Sequence, residues 1–110
     1  MLKHNLLTDL PKEQAAEQFQ TLLQTTQVTI GRIVSRGHSS PWYEQEWDEW
    51  VLLVKGAARL GFADGSELPL GPGDYLLLPA RTRHRVTWTT AEQETIWLAV
   101  HCSASIKPPL

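Results

Sequence analysis

Five residues of this chain combine acid, base or hydrogen-bonding chemistry with spacings that can gather them in one place. Glu49 and His84 are a carboxylate and an imidazole, able to pair inside a folded domain, and Tyr43 and Gln45 can extend that pair into a polar network because buried polar groups need partners. Tyr43 and Gln45 stand two residues apart, so on a strand they share a face. Glu49 follows Gln45 by four residues, roughly 13 Å of extended chain. The two can meet only if the charged run from Glu44 to Glu49 bends. His101 closes an apolar run and shares its strand face with Trp97 and Ala99, although a lone histidine at a strand end is more often a surface or interface residue. By the same alternation Val86 and Trp88 lie with His84, so Trp88 is expected to line any cavity that His84 faces, with plain core packing as the ordinary alternative.

Other groups suggest less. Arg81 and Arg83 form a basic turn able to clamp an anion, but a solvated turn is the commoner use of such a segment. Arg32, between Ile30 and Ile33, is expected on an exposed sheet edge or in a salt bridge to a neighbouring chain. His38 falls in a Gly-Ser-Pro loop, and His4 precedes any periodic structure. Cys102 adjoins His101, but neighbours on a strand point to opposite faces, which argues against a nucleophilic Cys-His pair. Trp42 and Trp47 fit either a lid over a pocket or a subunit contact, and Trp50 faces away from Glu49. The chain has no phosphate-binding glycine loop, no Gly-x-Ser-x-Gly elbow and no His-Glu-x-x-His helix.

The elements that must position these groups are mostly strands. Pro11 to Gln24 reads as a short amphipathic helix, with Pro11 suited to a first turn and Ala15, Phe19, Leu22 and Leu23 on one side. From Gln27 the period changes to short runs rich in Val, Ile, Leu and Trp, broken by Gly, Pro, Asp and Ser. Strands are expected near Val28 to Ser35, Glu49 to Val54, Ala58 to Phe62, Glu67 to Leu70, Tyr75 to Leu78, His84 to Thr89 and Thr95 to His101. Asp64-Gly65 supplies a hairpin pair and Gly71-Pro72-Gly73-Asp74 a dense turn. The pattern is that of an all-β sandwich or barrel, with an N-terminal arm and helix over residues 1–26, a barrel over 27–103 and an extended tail over 104–110.

Composition sets the outer bounds. The chain has 110 residues, 42% hydrophobic and 20% charged, with a formal net charge of −2. That is one domain, with no electrostatic reason to bind nucleic acid. The longest apolar runs are too short to cross a bilayer, and Met1 to Leu10 lacks the apolar stretch of a signal peptide. One cysteine allows no intrachain disulfide. These features lead to the expectation of a cytoplasmic protein with no membrane partner.

Glu49, six residues and Gly56, followed by Gly73, five residues, Pro79, four residues and His84, resemble the paired motifs of the cupin family. The likeness extends from about Arg32 to His101, and Trp42-Tyr43-Glu44-Gln45 and Asp48-Glu49-Trp50-Val51 are similar to a subgroup of small single-domain bacterial cupins. The resemblance implies a jelly-roll barrel, a homodimer and often one divalent metal in the barrel mouth. Carried over by position, the family's two first-motif histidines fall on Tyr43 and Gln45, its glutamate on Glu49 and its last histidine on His84. The implied metal ligands are therefore Gln45, Glu49 and His84, with Tyr43, Trp88 and His101 lining the pocket. An amide oxygen is a weaker donor than imidazole for zinc, nickel or iron and suits manganese better. Two functions stay open: a metal-dependent oxygenase, isomerase or lyase acting on a small polar molecule, and a metal-free, non-catalytic dimer that binds or senses one.

Overall fold

The computed structural model describes residues 1–12 and 15–103, and within them the chain forms eight antiparallel strands and no helix. They are β1 (Gln18–Gln24), β2 (Val28–Ser35), β3 (Asp48–Lys55), β4 (Ala58–Phe62), β5 (Glu67–Leu70), β6 (Tyr75–Leu78), β7 (His84–Thr89) and β8 (Thr95–Cys102). Two sheets result, one ordered β1-β2-β8-β3-β6 and the other β5-β4-β7. Between them lies a core that includes Val51, Leu53, Leu60, Leu78, Val86, Trp97 and Ala99. The expected strands from Val28 onward all form. The expected tail over 104–110 lies outside the described residues.

The expected helix does not form. Gln18–Gln24 is instead an edge strand paired with β2, with a register shift between Thr21 and Leu23. The spacing of Phe19, Leu22 and Leu23 suits either a helix face or a strand with one extra residue, and the open backbone ladder of β2 decides for the strand. Glu13 and Gln14, inside the expected helix, lie outside the described residues.

Alternation along the central strands aims the chemistry inward. On β3 the buried positions are Glu49, Val51 and Leu53, so Glu49 occupies what is otherwise an apolar row. On β8 the same face carries Trp97, Ala99 and His101, and the ladder sets Glu49 directly opposite His101. Tight turns hold these strands in place. Gly56, at φ +93, leads from β3 into β4, and a Cβ there would sit 2.7 Å from the Thr95 backbone. Glycine meets both the dihedral and the spatial demand.

Arg32 is neither exposed nor at a sheet edge. It is 6% exposed, and its guanidinium donates to Gln20 Oε1 and to the carbonyls of Leu6, Thr8 and Asp9. Its fork of donors fastens the N-terminal arm across β1 and β2, satisfying three carbonyls that would otherwise need water.

Candidate functional site

The two sheets enclose a cavity of about 230 Å³ whose polar floor is built from β3, β7 and β8. Glu49 lies there between two imidazoles. His101 Nε2 is 2.8 Å from its Oε2, and His84 Nε2 is 3.5 Å from its Oε1. His84 is oriented from behind, its Nδ1 lying 2.8 Å from the Thr82 carbonyl, which leaves Nε2 toward the carboxylate. Burial by itself would push the Glu49 carboxyl up, but contacts with His101 and His84 outweigh it and bring the pKa down to about 2. Burial acts on His84 in the opposite sense and is likewise outweighed, by Glu49 and the Thr82 carbonyl, so its pKa is raised. The result is an ionised carboxylate at neutral pH that accepts a hydrogen bond from His101 Nε2 and faces Nε2 of His84, which donates to it only as an imidazolium because Nδ1–H is given to the Thr82 carbonyl. Such a centre can hold or hand over a proton and can orient a ligand's hydrogen-bonding group.

A second polar group stands elsewhere in the same cavity wall. Tyr43 Oη donates to Glu17 Oε1 at 3.1 Å, and Ser35 Oγ lies 3.4 Å from Glu17 Oε2. Burial raises the Glu17 pKa, and the two hydroxyls offset only part of that. Burial and the neighbouring Glu17 also push Tyr43 up to about 12, so its phenol stays protonated and can only donate to the carboxylate. Sequence reasoning missed Glu17 because it falls within the expected helix over Pro11 to Gln24, away from the Ala15, Phe19, Leu22 and Leu23 side. Just beyond it Phe19 lies across Gly31, where a Cβ would meet the ring at 2.2 Å, and stacks on His101 with centroids 5.5 Å apart. Glycine at position 31 therefore gives the cavity its aromatic side wall.

The expected site residues are largely assembled. Tyr43, Gln45, Glu49, His84 and His101 all line the cavity. The bend needed between Gln45 and Glu49 occurs at Glu46 and Trp47 and is fixed where Asp48 Oδ1 accepts the Ala80 N–H at 2.7 Å. Tyr43 is held by reciprocal backbone hydrogen bonds with His84 of 2.7 and 3.0 Å. Trp88 is placed elsewhere: it is 40% exposed, with the Arg59 guanidinium 5.1 Å from its ring. The reason is a bulge, since Arg59 pairs with Trp88 but Leu60 with Val86, leaving Thr87 as an extra residue that reverses the alternation. Trp47 leans on His101 at 5.8 Å, and Trp42 is exposed beneath Arg83 and Arg85. Trp50 faces away, against Tyr75.

The implied metal does not fit this arrangement. His84 and His101 address opposite oxygens of Glu49, so the carboxylate lies between the rings instead of beside them. Tyr43 and Gln45 bring no imidazole, and the phenol is committed to Glu17. Among the described residues no group of three or more His, Cys, Asp or Glu side chains is arranged to share an ion. No described helix is long and apolar enough to cross a membrane.

The fold agrees with that of known proteins. The chain belongs to the cupin family, whose Cupin domain model matches residues 32–101. It is similar, at 42% identity and a TM-score of 0.87, to a protein of Ralstonia eutropha JMP134 provisionally described as a mannose-6-phosphate isomerase, over 94% of this chain and 100% of that one. An RmlC-like cupin from Desulfovibrio desulfuricans shares the fold at 18% identity and a TM-score of 0.79, covering 94% and 97% of the two chains. A cupin superfamily protein of Desulfitobacterium hafniense does so at 22% identity and 0.72, over 84% and 83%. No curated protein matches the chain.

Proposed function

We propose that this cupin binds a small, non-anionic organic molecule in the barrel cavity, with the His84, Glu49 and His101 centre contacting the ligand directly and no metal ion between them. The observation that carries this reading is the buried carboxylate, set between two imidazoles, at the floor of a cavity whose apolar walls include Phe19, Val51, Leu60, Leu78, Val86 and Trp97. Apolar walls around a few convergent polar groups are the usual form of a small-ligand site, and this one is below the ~300–1,000 Å³ common for drug-sized molecules. A sugar phosphate, the substrate named for the Ralstonia protein, suits it poorly. Among the described lining residues two are glutamates and none is Lys or Arg, so a phosphate would lose its hydration beside like charges.

The homodimer belongs to the same proposal. β1 is an edge strand whose Phe19, Leu22 and Leu23 are 45%, 49% and 51% exposed, an apolar edge that a second copy would cover.

Elemental analysis of protein purified without chelator, beside His84→Ala, tests the metal-free centre. Metal well below stoichiometric in both is expected, and near-stoichiometric metal lost in the variant would overturn it. A thermal-shift screen of small neutral and cationic molecules tests the cavity. Stabilising compounds should lose their effect in Val86→Phe, which fills the space; equal stabilisation of that variant would place binding elsewhere.

A further inference from the structure

We propose that Glu17 is the residue by which the cavity recognises its ligand's charge, and that this ligand is a small organic amine. The inference rests on the cavity being a small-molecule site. Of its two carboxylates, Glu49 is already matched by two imidazoles, whereas Glu17 receives hydrogen bonds only from the neutral hydroxyls of Tyr43 and Ser35. No Lys or Arg is found among the described residues that line the cavity, and no described cationic group forms an ion pair with Glu17. Burial raises its pKa, the Tyr43 and Ser35 hydroxyls offset only part of that, and the neighbouring Glu49 adds to the rise.

A ligand ammonium would supply the missing partner as a charge-assisted hydrogen bond. The walls favour the same chemistry. Phe19, Tyr43 and Trp97 present aromatic rings to the cavity, and ring faces attract cations.

Three probes of one shape test the inference: benzylamine, benzyl alcohol and benzoate, titrated calorimetrically at pH 7 into the full chain while NMR follows the Trp97 indole and the His84 and His101 rings. Benzylamine is expected to shift those signals and to bind at least about tenfold more tightly than benzoate, the scale of one charge-assisted hydrogen bond. Glu17→Gln should remove that preference with little change for benzyl alcohol, and Glu17→Asp, which keeps the charge, should retain most of it. Benzoate shifting the same signals with equal or higher affinity, or a preference unchanged in Glu17→Gln, would overturn the role of Glu17 while leaving the cavity as the binding site. If none of the three probes moves the Trp97, His84 or His101 signals, the small-molecule reading fails and this inference fails with it.

Discussion

Glu17 and Glu49 line one cavity and are the same amino acid, yet their surroundings drive them in opposite directions. Glu49 sits mid-sheet on β3, with its partners fixed by the neighbouring strands: the ladder sets His101 opposite it, and the Tyr43–His84 bridge and the Thr82 carbonyl hold His84 toward it. Glu17 precedes the edge strand β1 and is met by two hydroxyls. Burial opposes charge on both, but only at Glu49 is burial outweighed, so one pKa falls to about 2 and the other rises. The difference shows that the middle of the sheet sets two imidazoles against its carboxylate, while the edge side meets Glu17 with neutral hydroxyls alone.

The largest effect that would break this contrast is on stability. Glu49→Ala leaves two imidazoles facing an empty position in the core and is expected to cost about 3–5 kcal/mol, the usual penalty for removing one partner of a buried pair. Glu17→Gln keeps one acceptor oxygen, sets an amide N–H against the other hydroxyl, which can turn to accept it, and removes a charge that burial disfavours, so stability at pH 7 should be unchanged or raised. Urea unfolding of both variants gives the comparison. Equal losses would mean that Glu17 is as firmly paired as Glu49.

Acid titration sharpens the same contrast. The folded Glu49 pKa of about 2 lies below its ordinary value of 4.5, so its stabilisation is present above pH 4.5 and is lost as pH falls from there through 2. That difference corresponds to about 3 kcal/mol. Glu17, with a raised pKa, has the opposite sign: its contribution declines as pH rises through 4.5 toward the folded value. His84, also raised, stabilises below pH 6.5 and loses that contribution as pH climbs through its folded pKa. Urea midpoints from pH 2 to 8 should fall steeply on the acid side in the parent chain and far less in Glu49→Gln. A slope that survives this substitution would assign the acid sensitivity to other carboxylates.

A smaller effect probes how the edge strand reaches the site. Gly31→Ala places a Cβ 2.2 Å from the Phe19 ring, which must swing off His101. Because Phe19 is half-exposed and its ring can move, the expected cost is about 1 kcal/mol, at the mild end of overpacking. NMR should show the His101 ring losing the upfield shift that a stacked phenyl imposes. This contact marks where sequence reading stopped. The strands from β2 onward were legible because each is a short apolar run bounded by turn residues, and Tyr43, Gln45, Glu49, His84 and His101 follow from alternation and motif spacing. β1 was not, because Ala15, Phe19, Leu22 and Leu23 satisfy a helical period until a paired strand with one extra residue is allowed. With β1 went Glu17 and Phe19, whose places depend on pairing with β2, a non-local fact that no local period encodes.

The smallest expected effect concerns Trp88, where a single residue reverses the reading of a whole strand. Strict alternation from His84 puts Trp88 in the cavity, and a bulge at Thr87 puts it outside under Arg59. Trp88→Ala should therefore cost only about 0.5–1 kcal/mol, the worth of an exposed cation–π contact. It should leave ligand-induced shifts of the Trp97 indole and the His84 ring unchanged. If Trp88→Ala alone abolished the response, the strand would be in its unbulged register and the wall of the cavity would have to be redrawn from Val86 outward.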